Sequence, residues 1–475
     1  MMFLFHLLKL GVWSSIYYFR PSKITFNIII NNIKRCGPIT IKLVQWALPK
    51  IEAIYEIDKQ NKDNEWFTKL EEMYEDCDFH SLNYTKSKYQ STFHSEFDKD
   101  YQKIEEIASG SIGQAYKITD KKGDEFAMKI LHPRVNYQIH FFRFLFLIIR
   151  LLPPLHNILN YYFPFDLYSF IKDFKMQTNF INEVNHNLHF TNVYCNNPYI
   201  IIPQIYKFSN EIIIMSYEEG ERFDKMDLSD YMTYKSIVLL KLFNKNNESI
   251  YNFMHGDLHK GNWKIRRENS EVKLIIYDFG FCWTIPELIS KNLLKINQVF
   301  MDLQLEEKTE QLNKEKDIDT FSEIVDIFCS KKIPIKIIKE EVKKLVERED
   351  VKYSDPIFFI KLILNSTRRG DITVDAHVLN CIIGHTQMDK LYEKITKNRF
   401  VDDKNKNAEY IYFKYFGDLI NFCDTKNIFR EYIESLKKEL VTEKKRRNIK
   451  MNTLFDYNKS FDMNSKLKDM CIQDE

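Results

Sequence analysis

The feature that most restricts what this chain can fold into is a pair of polar turns separated by a short hairpin. The first turn reads HGDLHKGN over residues 255–262, and the second reads YDFG over residues 277–280. The run Leu274–Tyr277 that leads into the second turn is apolar, as expected of a buried strand. A DFG triplet alone occurs by chance, but the ordered series of loop, hairpin and DFG is rare. The series therefore predicts a fold that carries both turns in one site.

The side chains of these turns suit phosphoryl transfer, which needs an oriented acceptor and metal ions that hold negative charge. Asp257 can accept a hydrogen bond or a proton from an attacking hydroxyl or water. Asn262 can point back from the same loop to coordinate Mg²⁺, and Asp278 can hold the metal that bridges the phosphates. We therefore expect Asp257 to be catalytic, and Asn262 and Asp278 to be metal ligands.

A second signal lies upstream, where small residues join two predicted strands. These residues, Ala108, Ser109, Gly110 and Ser111, would let backbone N–H groups approach phosphate oxygens closely. Such a string alone is more often a plain hairpin. The phosphate-binding interpretation is favoured by Lys129, which lies among apolar residues one strand later, because a buried ammonium needs an anion nearby.

In a kinase-like site that anion is a nucleotide phosphate, and a carboxylate on a helix holds the lysine in place. Glu183, within the predicted helix Asp166–Cys195, is the candidate partner of Lys129. Met215 and Tyr217, at the end of a strand-like run, are candidate nucleotide contacts. The expected cofactors are therefore Mg²⁺ and ATP, or ADP.

The order of predicted elements indicates the fold class. Strand-like runs are separated by turn residues and interrupted by long helical patterns. The predicted strands are Ile104–Ala108, Gln114–Ile118, Glu125–Leu131, Tyr199–Ile205 and Glu211–Tyr217, the predicted helices include His140–Leu152 and Asp166–Cys195, and a polar hairpin is predicted near Trp263–Tyr277. This order predicts an α+β, two-lobed protein-kinase-like fold, with a small β-rich N-lobe and a helical C-lobe.

The same pattern divides the chain into four segments. A helical N-terminal extension is expected over residues 1–100, with helices at Ile39–Tyr55 and Trp66–Cys77. The N-lobe is expected over residues 101–220 and the C-lobe over residues 221–397. A helical, charged tail is expected over residues 398–475.

Charge and cysteine usage restrict the partners and the compartment. The formal net charge of +2 gives no reason to expect nucleic acid as a partner. The 8 cysteines are spread out without a CxxC pair, which favours reduced thiols in a reducing, intracellular compartment.

The N-terminus leaves three interpretations open. No acidic residue precedes Glu52, and the apolar stretch Met1–Phe19 is interrupted by His6 and Lys9. This stretch fits an organelle transit peptide, an amphipathic segment on a membrane surface, or a buried helix. Membrane association and a mitochondrial location therefore stay open.

Three runs resemble the UbiB/aarF-domain family of atypical kinases, which is linked to coenzyme Q metabolism. KILHPRV at residues 129–135 resembles the family's VKVQHPGV, and HGDLHKGN resembles its HADLHPGN loop. CGPITIKLVQWA at residues 36–47 resembles the family's hallmark GPTFIKLGQWAS, which ordinary protein kinases lack. The resemblance runs piecewise from Cys36 to Tyr392.

The resemblance implies a role for each matching residue. Lys129 would be the strand lysine, Glu183 its helix partner and Asp257 the catalytic-loop aspartate, with Asn262 and Asp278 as metal ligands.

Lys42 and Gln45 would match the lysine and glutamine of the family's KxGQ motif. In the family, the extension that carries this motif folds over the active site and restricts access of protein substrates. The implied partners are a nucleotide and, beyond it, a membrane surface or proteins of lipid and quinone pathways.

The chain departs from the family pattern in three places. Val44 replaces the glycine of KxGQ, where the family packs its extension closely. Gly110 stands in a loop that is AAAS in most members, and it resembles an ordinary kinase loop. The family's ExD motif reads QTN over residues 177–179, which puts an acidic metal-coupled role there in doubt.

These observations predict an ATP-binding, Mg²⁺-dependent atypical kinase or ATPase. It would transfer the γ-phosphoryl group to water or to a small or lipid-like acceptor. Two alternatives stay open: a small-molecule phosphotransferase of the aminoglycoside/choline-kinase type, which shares the HGDxHxxN loop, and a non-catalytic nucleotide-binding scaffold.

Overall fold

A computed structural model of the chain describes most of its first 286 residues and two later helices. The described residues are 2–44, 47–48, 69–70, 77, 79–154, 167–195, 197, 199–228, 230–268, 271–286, 289, 313–329, 334–347, 381, 384, 388 and 391. Contacts divide the chain into two compact units. The first comprises Met1–Lys225, His255–Trp283 and Lys314–Gln387, and the second comprises Met226–Met254, Thr284–Asn313 and Met388–Glu475.

Ten strands carry the β structure of the described residues. They are β1 (Tyr101–Ser109), β2 (Gly113–Asp120), β3 (Glu125–Leu131), β4 (Ile200–Ile201), β5 (Ile205–Phe208), β6 (Ile212–Ser216), β7 (Phe253–His255), β8 (Trp263–Glu268), β9 (Glu271–Ile276) and β10 (Cys282–Thr284). An antiparallel five-stranded sheet has the order β1-β2-β3-β6-β5. The hairpin β8–β9 is extended by β4, which pairs parallel to β9, and β7 pairs with β10.

Helices precede, interrupt and follow this sheet. They are α1 (Met2–Phe19), α2 (Lys23–Arg35), α3 (Leu82–Phe93), α4 (Phe97–Asp100), α5 (Val135–Leu151), α6 (Leu167–Gln177), α7 (Phe180–Tyr194), α8 (Tyr231–Asn246), α9 (Lys314–Phe328) and α10 (Ile335–Val346). Residues 38–44 are also helical. A helical extension, a five-stranded sheet and a long helical insertion after β3 confirm the predicted α+β, kinase-like fold.

The two faces of the five-stranded sheet have different surroundings. Met128 and Ile130 of β3 are fully buried in an apolar cluster that Tyr89 of α3 and Phe97 of α4 complete. Since successive side chains of a strand point to opposite faces, Lys129 points to the other face, where it meets α7. The alternation of β3 therefore places one ammonium on the side away from the main apolar core.

The insertion after β3 forms a second apolar cluster. Ile139, Phe142 and Phe146 of α5 pack against Phe174 of α6 and against Phe3 of α1. The first two helices are joined by a further cluster on α2 and by a hydrogen bond between His6 Nδ1 and Asn32 Oδ1 of 3.0 Å. The N-terminal helix is therefore part of the packed first unit.

The outer side of α1 is also apolar. Phe5, Leu8, Val12, Ile16 and Phe19 recur at helical spacing and are exposed. Within the described part of the chain, no helix combines the length and the apolar character that a membrane crossing requires.

The predicted single helix Asp166–Cys195 was wrong, because the structure breaks it into α6 and α7. The Thr178 hydroxyl donates to the carbonyl of Lys175 at 2.8 Å, and Asn179 Oδ1 accepts from the N–H of Ile181 at 3.2 Å. Short polar side chains that bond to nearby backbone favour helix ends over helix interiors. Asn179 is therefore the N-cap of a new helix.

The predicted strand Tyr199–Ile205 was also wrong as one element. Ile200–Ile201 pairs with β9, whereas the chain joins the five-stranded sheet only from Ile205 onward. Pro203 lies between the two pieces and has no N–H to donate to a ladder. The hairpin predicted near Trp263–Tyr277 is confirmed by β8 and β9.

Candidate active site

Lys129 is the centre of an ion cluster in the first unit. Its Nζ lies 2.8 and 2.9 Å from the two carboxylate oxygens of Glu183 and 2.8 Å from Oδ1 of Asp278. The strand β3 fixes the lysine between Ala115 of β2 and Ile213 of β6. Three residues that the sequence predicted to share a site therefore lie in direct contact.

Helix α7 positions the acidic partner of Lys129. Glu183 lies in its first turn, four residues after the Asn179 cap, and is buried. One turn later, His186 Nδ1 is 2.8 Å from the carbonyl of Phe279, so this nitrogen carries the proton and donates. The same helix thus holds both Lys129 and the turn that contains Asp278.

The turn at Asp278 has an uncommon backbone conformation. Asp278 has φ +61°, a left-handed geometry that aspartate tolerates better than most residues. The Phe279 ring that follows packs at 4.9 Å from Phe190 and at 5.3 Å from His255, measured between ring centroids. Gly280 lies close to both carboxylates, since a Cβ at this position would be 3.3 Å from Asp278 Oδ1 and 3.4 Å from Glu183 Oε2 and would require them to shift slightly.

The loop after β7 brings Asp257 and Asn262 to the same cluster. Asn262 Nδ2 donates to the carbonyl of Asp257 at 2.7 Å, which leaves Asn262 Oδ1 as the acceptor end of its amide. The N–H of Tyr277 donates to the carbonyl of Asn262 at 3.1 Å and ties this loop to the DFG turn. The Asp257 carboxylate is bound by Lys42, whose Nζ donates to its Oδ2 at 2.5 Å.

Exposure separates the carboxylates into two kinds. The Glu183 side chain is 4% exposed, whereas those of Asp257 and Asp278 are 26% and 38% exposed. A ligand can therefore approach Asp257 and Asp278, while Glu183 serves only its neighbours in the protein.

Two lysines face three carboxylates in this cluster, and the pKa values are set by burial together with these charges. Burial raises the pKa of Glu183 to about 7, against the opposing attraction of Lys129. Burial alone would also raise the pKa of Asp278, but the attraction of Lys129 outweighs it and leaves that pKa lowered. For Lys129 itself, burial lowers the pKa, and the pull of Asp278 and Glu183 reverses this to a raised pKa.

Asp257 is held ionised by its neighbours. Burial raises its pKa, but the charges of Lys42 and His259 outweigh burial and lower it below the usual range. Nearby His255 has a lowered pKa because burial disfavours its charged form, so its ring is neutral near pH 7.

The predicted nucleotide loop joins β1 to β2 next to this cluster. The N–H of Gly110 donates to the carbonyl of Gly113 at 3.0 Å and closes the turn. Gly113 cannot carry a side chain there, since a Cβ would lie 2.6 Å from the carbonyl oxygen of Ile130. Gly110, in contrast, would tolerate a Cβ: its nearest neighbour would be the Gly113 carbonyl at 3.6 Å, and its φ is not positive.

Met215 and Tyr217 lie at the end of β6. Met215 pairs with Ala127 of β3 and with Ile205 of β5. The ring of Tyr217 lies 4.5 Å from Lys117 Nζ. Their expected contact with a nucleotide stays a prediction, as does the role of each other site residue.

A family model describes residues 72–312 of this chain, from the segment before α3 to beyond the DFG turn: the ABC1 atypical kinase-like domain. The chain belongs to the ABC1 atypical kinase-like family. This result confirms the resemblance to UbiB/aarF-domain kinases that the three sequence runs suggested.

Aligned to a curated relative, a probable serine/threonine-protein kinase (abkC) of Dictyostelium discoideum, the chain is 24% identical over 261 residues. The match covers 52% of this chain and 36% of the relative, so the chain spans about a third of that protein's length.

Two solved structures are also similar to the ABC1 chain. One is a Mycobacterium tuberculosis protein in complex with erythromycin, with 16% identity, a TM-score of 0.36 and coverage of 56% of this chain and 66% of that one. The other is the Rio2 kinase of Chaetomium thermophilum in a complex with ADP, Mg²⁺ and phosphoaspartate, with 13% identity, a TM-score of 0.27 and coverage of 70% and 88%. Both TM-scores are low, and the fold assignment rests on the sheet order and the element order described above.

The structure gives a physical account of two departures from the ABC1 pattern. Val44, which replaces the glycine of KxGQ, packs against the apolar cluster of α2, so its side chain fills space between the extension's own helices. Asn179, which replaces an expected carboxylate, caps α7. Gln45, the other predicted gating residue, lies outside the described residues.

The donors of the ABC1 site fit Mg²⁺ in the way that phosphate-binding sites usually hold it. Mg²⁺ is commonly bound by one or two protein oxygens together with substrate phosphates and water. Asp278 and Asn262 Oδ1 are oxygen donors of that kind. Among the described residues, no group of three or more His, Cys, Asp or Glu side chains could hold a metal ion alone. The site therefore suits a metal that arrives with a nucleotide.

Two neighbours of the predicted site were not singled out from the sequence. His132 bonds to the Gly110 carbonyl, and Trp283 packs against Gly256. The His-Pro pair after β3 was noticed only as part of the family resemblance, and no sequence signal pointed to Trp283.

Proposed function

We propose that this chain binds ATP with Mg²⁺ and transfers the γ-phosphoryl group to water or to a small or lipid-like hydroxyl acceptor. The observation that carries the proposal is the single cluster formed by Lys129, Glu183 and Asp278 beside the Asp257–Asn262 loop. Phosphoryl transfer depends on positioning and charge more than on covalent chemistry of the protein, and this cluster has the required charges.

Each residue has a distinct role in the proposal. Lys129, held by Glu183, would bind nucleotide phosphate oxygens, because an ammonium on a rigid strand offers a fixed positive charge. Asp278 and Asn262 would hold Mg²⁺, which supplies charge compensation for the phosphates when bound. Asp257 would orient the acceptor hydroxyl and accept its proton.

Lys42 would act as a gate on this chemistry. In the structure it occupies Oδ2 of Asp257, the carboxylate that the acceptor needs. An acceptor hydroxyl would have to share or displace this contact, so the extension would compete with the acceptor for one group. The proposed participation of Gln45 in the gate remains a prediction.

A second candidate function is that of a nucleotide-binding scaffold without turnover. The Lys42–Asp257 ion pair favours it, since a permanently bound Asp257 could still leave Lys129 and Asp278 available for Mg²⁺ and nucleotide. A quinone- or lipid-pathway role, and contact with a membrane surface, are compatible with either function.

Nucleotide hydrolysis by the purified protein tests the proposal. The assay would use Mg²⁺ and ATP, with and without phenolic or lipid acceptors and detergent micelles, and an Asp257→Asn variant as the matched control. Mg²⁺-dependent phosphate release or acceptor phosphorylation that the variant lacks would support the proposal. Nucleotide binding without any turnover would favour the scaffold, and no binding would reject both.

A further inference from the structure

Two histidines, His80 and His132, contact each other edge-to-face beside the nucleotide loop, with ring centroids 5.0 Å apart. His132 follows β3, and its Nε2 lies 2.9 Å from the Gly110 carbonyl oxygen and 3.4 Å from Ser109 Oγ. Its Nδ1 lies 2.8 Å from Nδ1 of His80, in the segment before α3. His80 belongs to the N-terminal extension, outside the five-stranded sheet. It is therefore linked to the loop through His132.

The hydrogen bonds of these histidines have a defined direction. A carbonyl only accepts, so His132 Nε2 carries a proton and donates to Gly110. In a neutral ring His132 Nδ1 then accepts, and it must receive the proton of His80 Nδ1. His80 Nε2 is therefore an acceptor and takes the hydroxyl proton of Thr85 at 3.0 Å, whose Oγ1 in turn accepts from the Tyr116 hydroxyl at 2.7 Å.

Burial keeps both rings in this neutral state. It lowers the pKa of His132, and, together with the repulsion that a charged His132 would exert, it lowers the pKa of His80 to about 4. Near pH 7 each ring therefore carries one proton. Since His132 Nδ1 and His80 Nε2 both accept a hydrogen bond, and a fully protonated ring has no acceptor nitrogen, neutrality of both rings is a condition of this chain of hydrogen bonds.

The chain of hydrogen bonds fixes the orientation of a peptide group in the loop. In a trans peptide, the N–H of a residue points opposite to the preceding carbonyl. The bond from His132 to the Gly110 carbonyl therefore turns the N–H of Ser111 away from the histidines. The extension braces the same loop at two further points, since the N–H of Cys77 donates to the Ser109 carbonyl at 3.3 Å and that of His80 to Gln114 Oε1 at 2.9 Å.

We propose that His132 and His80 are positioning residues for the nucleotide, which hold the Gly110–Ser111 peptide so that its N–H faces the phosphates. This inference rests on the proposed function. It assigns to the extension a second task besides the Lys42 contact, since His80 completes the bracing of the phosphate-binding loop. Backbone N–H groups bind phosphate well only when they are fixed in advance, so loss of the brace weakens binding.

Two substitutions of similar size separate the two contacts of His132. The amide nitrogen of glutamine lies near the position of histidine Nε2, so His132→Gln keeps a donor for the Gly110 carbonyl. The amide of asparagine lies near the position of Nδ1, so His132→Asn keeps a partner for His80 and loses the loop contact. We expect His132→Asn to weaken Mg·ATP binding on the order of tenfold, and His132→Gln by less than about threefold.

Two tyrosine variants provide a matched test at the other end of the chain of hydrogen bonds. Tyr116→Phe removes the first donor, whereas Tyr84→Phe removes a nearby hydroxyl that bonds to the Leu131 carbonyl instead. Tyr116→Phe should raise amide hydrogen exchange over residues 108–113 and weaken Mg·ATP binding. Tyr84→Phe, whose ring also packs on His80, should change neither.

The two measurements, exchange of the loop amides in the free protein and Mg·ATP titration, distinguish the outcomes. Faster loop exchange and weaker binding in His132→Asn, both much smaller in His132→Gln, support the proposal. Equal Mg·ATP affinity in wild type and His132→Asn, or unchanged loop exchange, overturns the proposal alone. A wild-type protein that binds no Mg·ATP overturns the proposed function and this inference together.

Discussion

Trp283 occupies the space in which a side chain at position 256 would lie. A Cβ on Gly256 would be 1.6 Å from Cζ3 and 2.2 Å from Cη2 of the indole. The backbone cannot retreat freely, because the N–H of Gly256 donates to the Phe281 carbonyl at 2.7 Å. The family's loop has alanine at this place, so the glycine and the tryptophan of this chain form a matched pair.

This pair predicts a strong coupling in a double-mutant cycle. Gly256→Ala should destabilise the protein by about 1–3 kcal/mol because the added methyl group overpacks the site. Trp283→Leu should destabilise it by a similar amount because it leaves a cavity. The double variant should be more stable than the sum of the two losses predicts, since the smaller side chain makes room for the new methyl group. Denaturant unfolding of the four proteins measures the coupling, and strict additivity would contradict it.

The two aspartates of the site should separate binding from turnover. Asp278→Asn is expected to lose Mg²⁺-dependent nucleotide binding, because it removes the charge of the proposed metal ligand. Asp257→Asn should keep binding and lose about 10²–10⁴-fold in rate, the usual cost of losing a positioned general base. Calorimetric titration and phosphate release distinguish the two, and full turnover by both variants would reject the kinase-like mechanism.

Removal of Lys42 should move the acid side of the pH–rate profile. Lys42 helps to keep the pKa of Asp257 below its usual range, so without it burial raises that pKa. As pH falls, the Asp257 carboxylate of such a variant is therefore protonated, and unable to accept a proton, at a higher pH than in wild type. Lys42→Met should therefore lose activity at a higher pH than wild type, whereas Lys42→Arg, which keeps the charge, should not. Superimposable profiles for Met and wild type would argue against a role for Asp257 as base.

Gly110→Ala should change nucleotide preference without harming the fold. The position accepts a Cβ in the free protein, and its φ requires no glycine. The loop therefore does not need the backbone conformations that are open only to glycine at position 110. A methyl group added there should affect the bound nucleotide and not the fold. We expect wild type to bind Mg·ATP at least as tightly as Mg·ADP, and Gly110→Ala to weaken ATP more than ADP.

The control for that prediction is Gly113→Ala, which would place a Cβ 2.6 Å from the Ile130 carbonyl. It should lower the melting temperature, unlike Gly110→Ala. Titrations with ADP and a non-hydrolysable ATP analogue measure the preference, in which a tenfold change corresponds to about 1.4 kcal/mol. An unchanged ATP/ADP ratio in Gly110→Ala would mark the loop as a plain hairpin.

Glu183 should make stability fall as pH rises towards neutrality. Its pKa is raised from an ordinary 4.5 to about 7 in the folded protein, so the folded state binds its proton more readily than the unfolded state does. The resulting stabilisation is complete below about pH 4.5 and is lost as pH rises to about 7, at about 1.4 kcal/mol per pKa unit. Unfolding free energies of wild type and Glu183→Gln should therefore diverge across this range, and parallel curves would show that Glu183 keeps an ordinary pKa.

The parts of the fold that the sequence predicted are those set by local pattern. The alternation around Lys129 and the small residues before β2 predicted the strands β1, β2 and β3 to within a few residues. The loop and turn at residues 255–262 and 277–280 predicted that Asp257, Asn262 and Asp278 would lie close together. These features depend on neighbours in sequence and on a hairpin, which periodicity can reveal.

What escaped prediction depends on contacts between distant segments. Thr178 and Asn179 looked like interior helix residues because their role as a break appears only when their side chains bond to the backbone. His80 has no motif around it, and its importance comes from contacts with Thr85 and with His132, 52 positions away. Trp283 packs against Gly256, and no pattern in the residues around Trp283 predicts that contact.

The lysines of the cluster have a consequence for how the empty protein behaves. Lys42 and Lys129 supply internal counter-ions to carboxylates that would otherwise repel one another. We therefore expect the fold not to need a divalent cation, in contrast to small domains that fold only around a bound metal. Purification in the presence of a chelator should therefore yield a folded protein, and in the proposed function magnesium would be needed only once nucleotide binds.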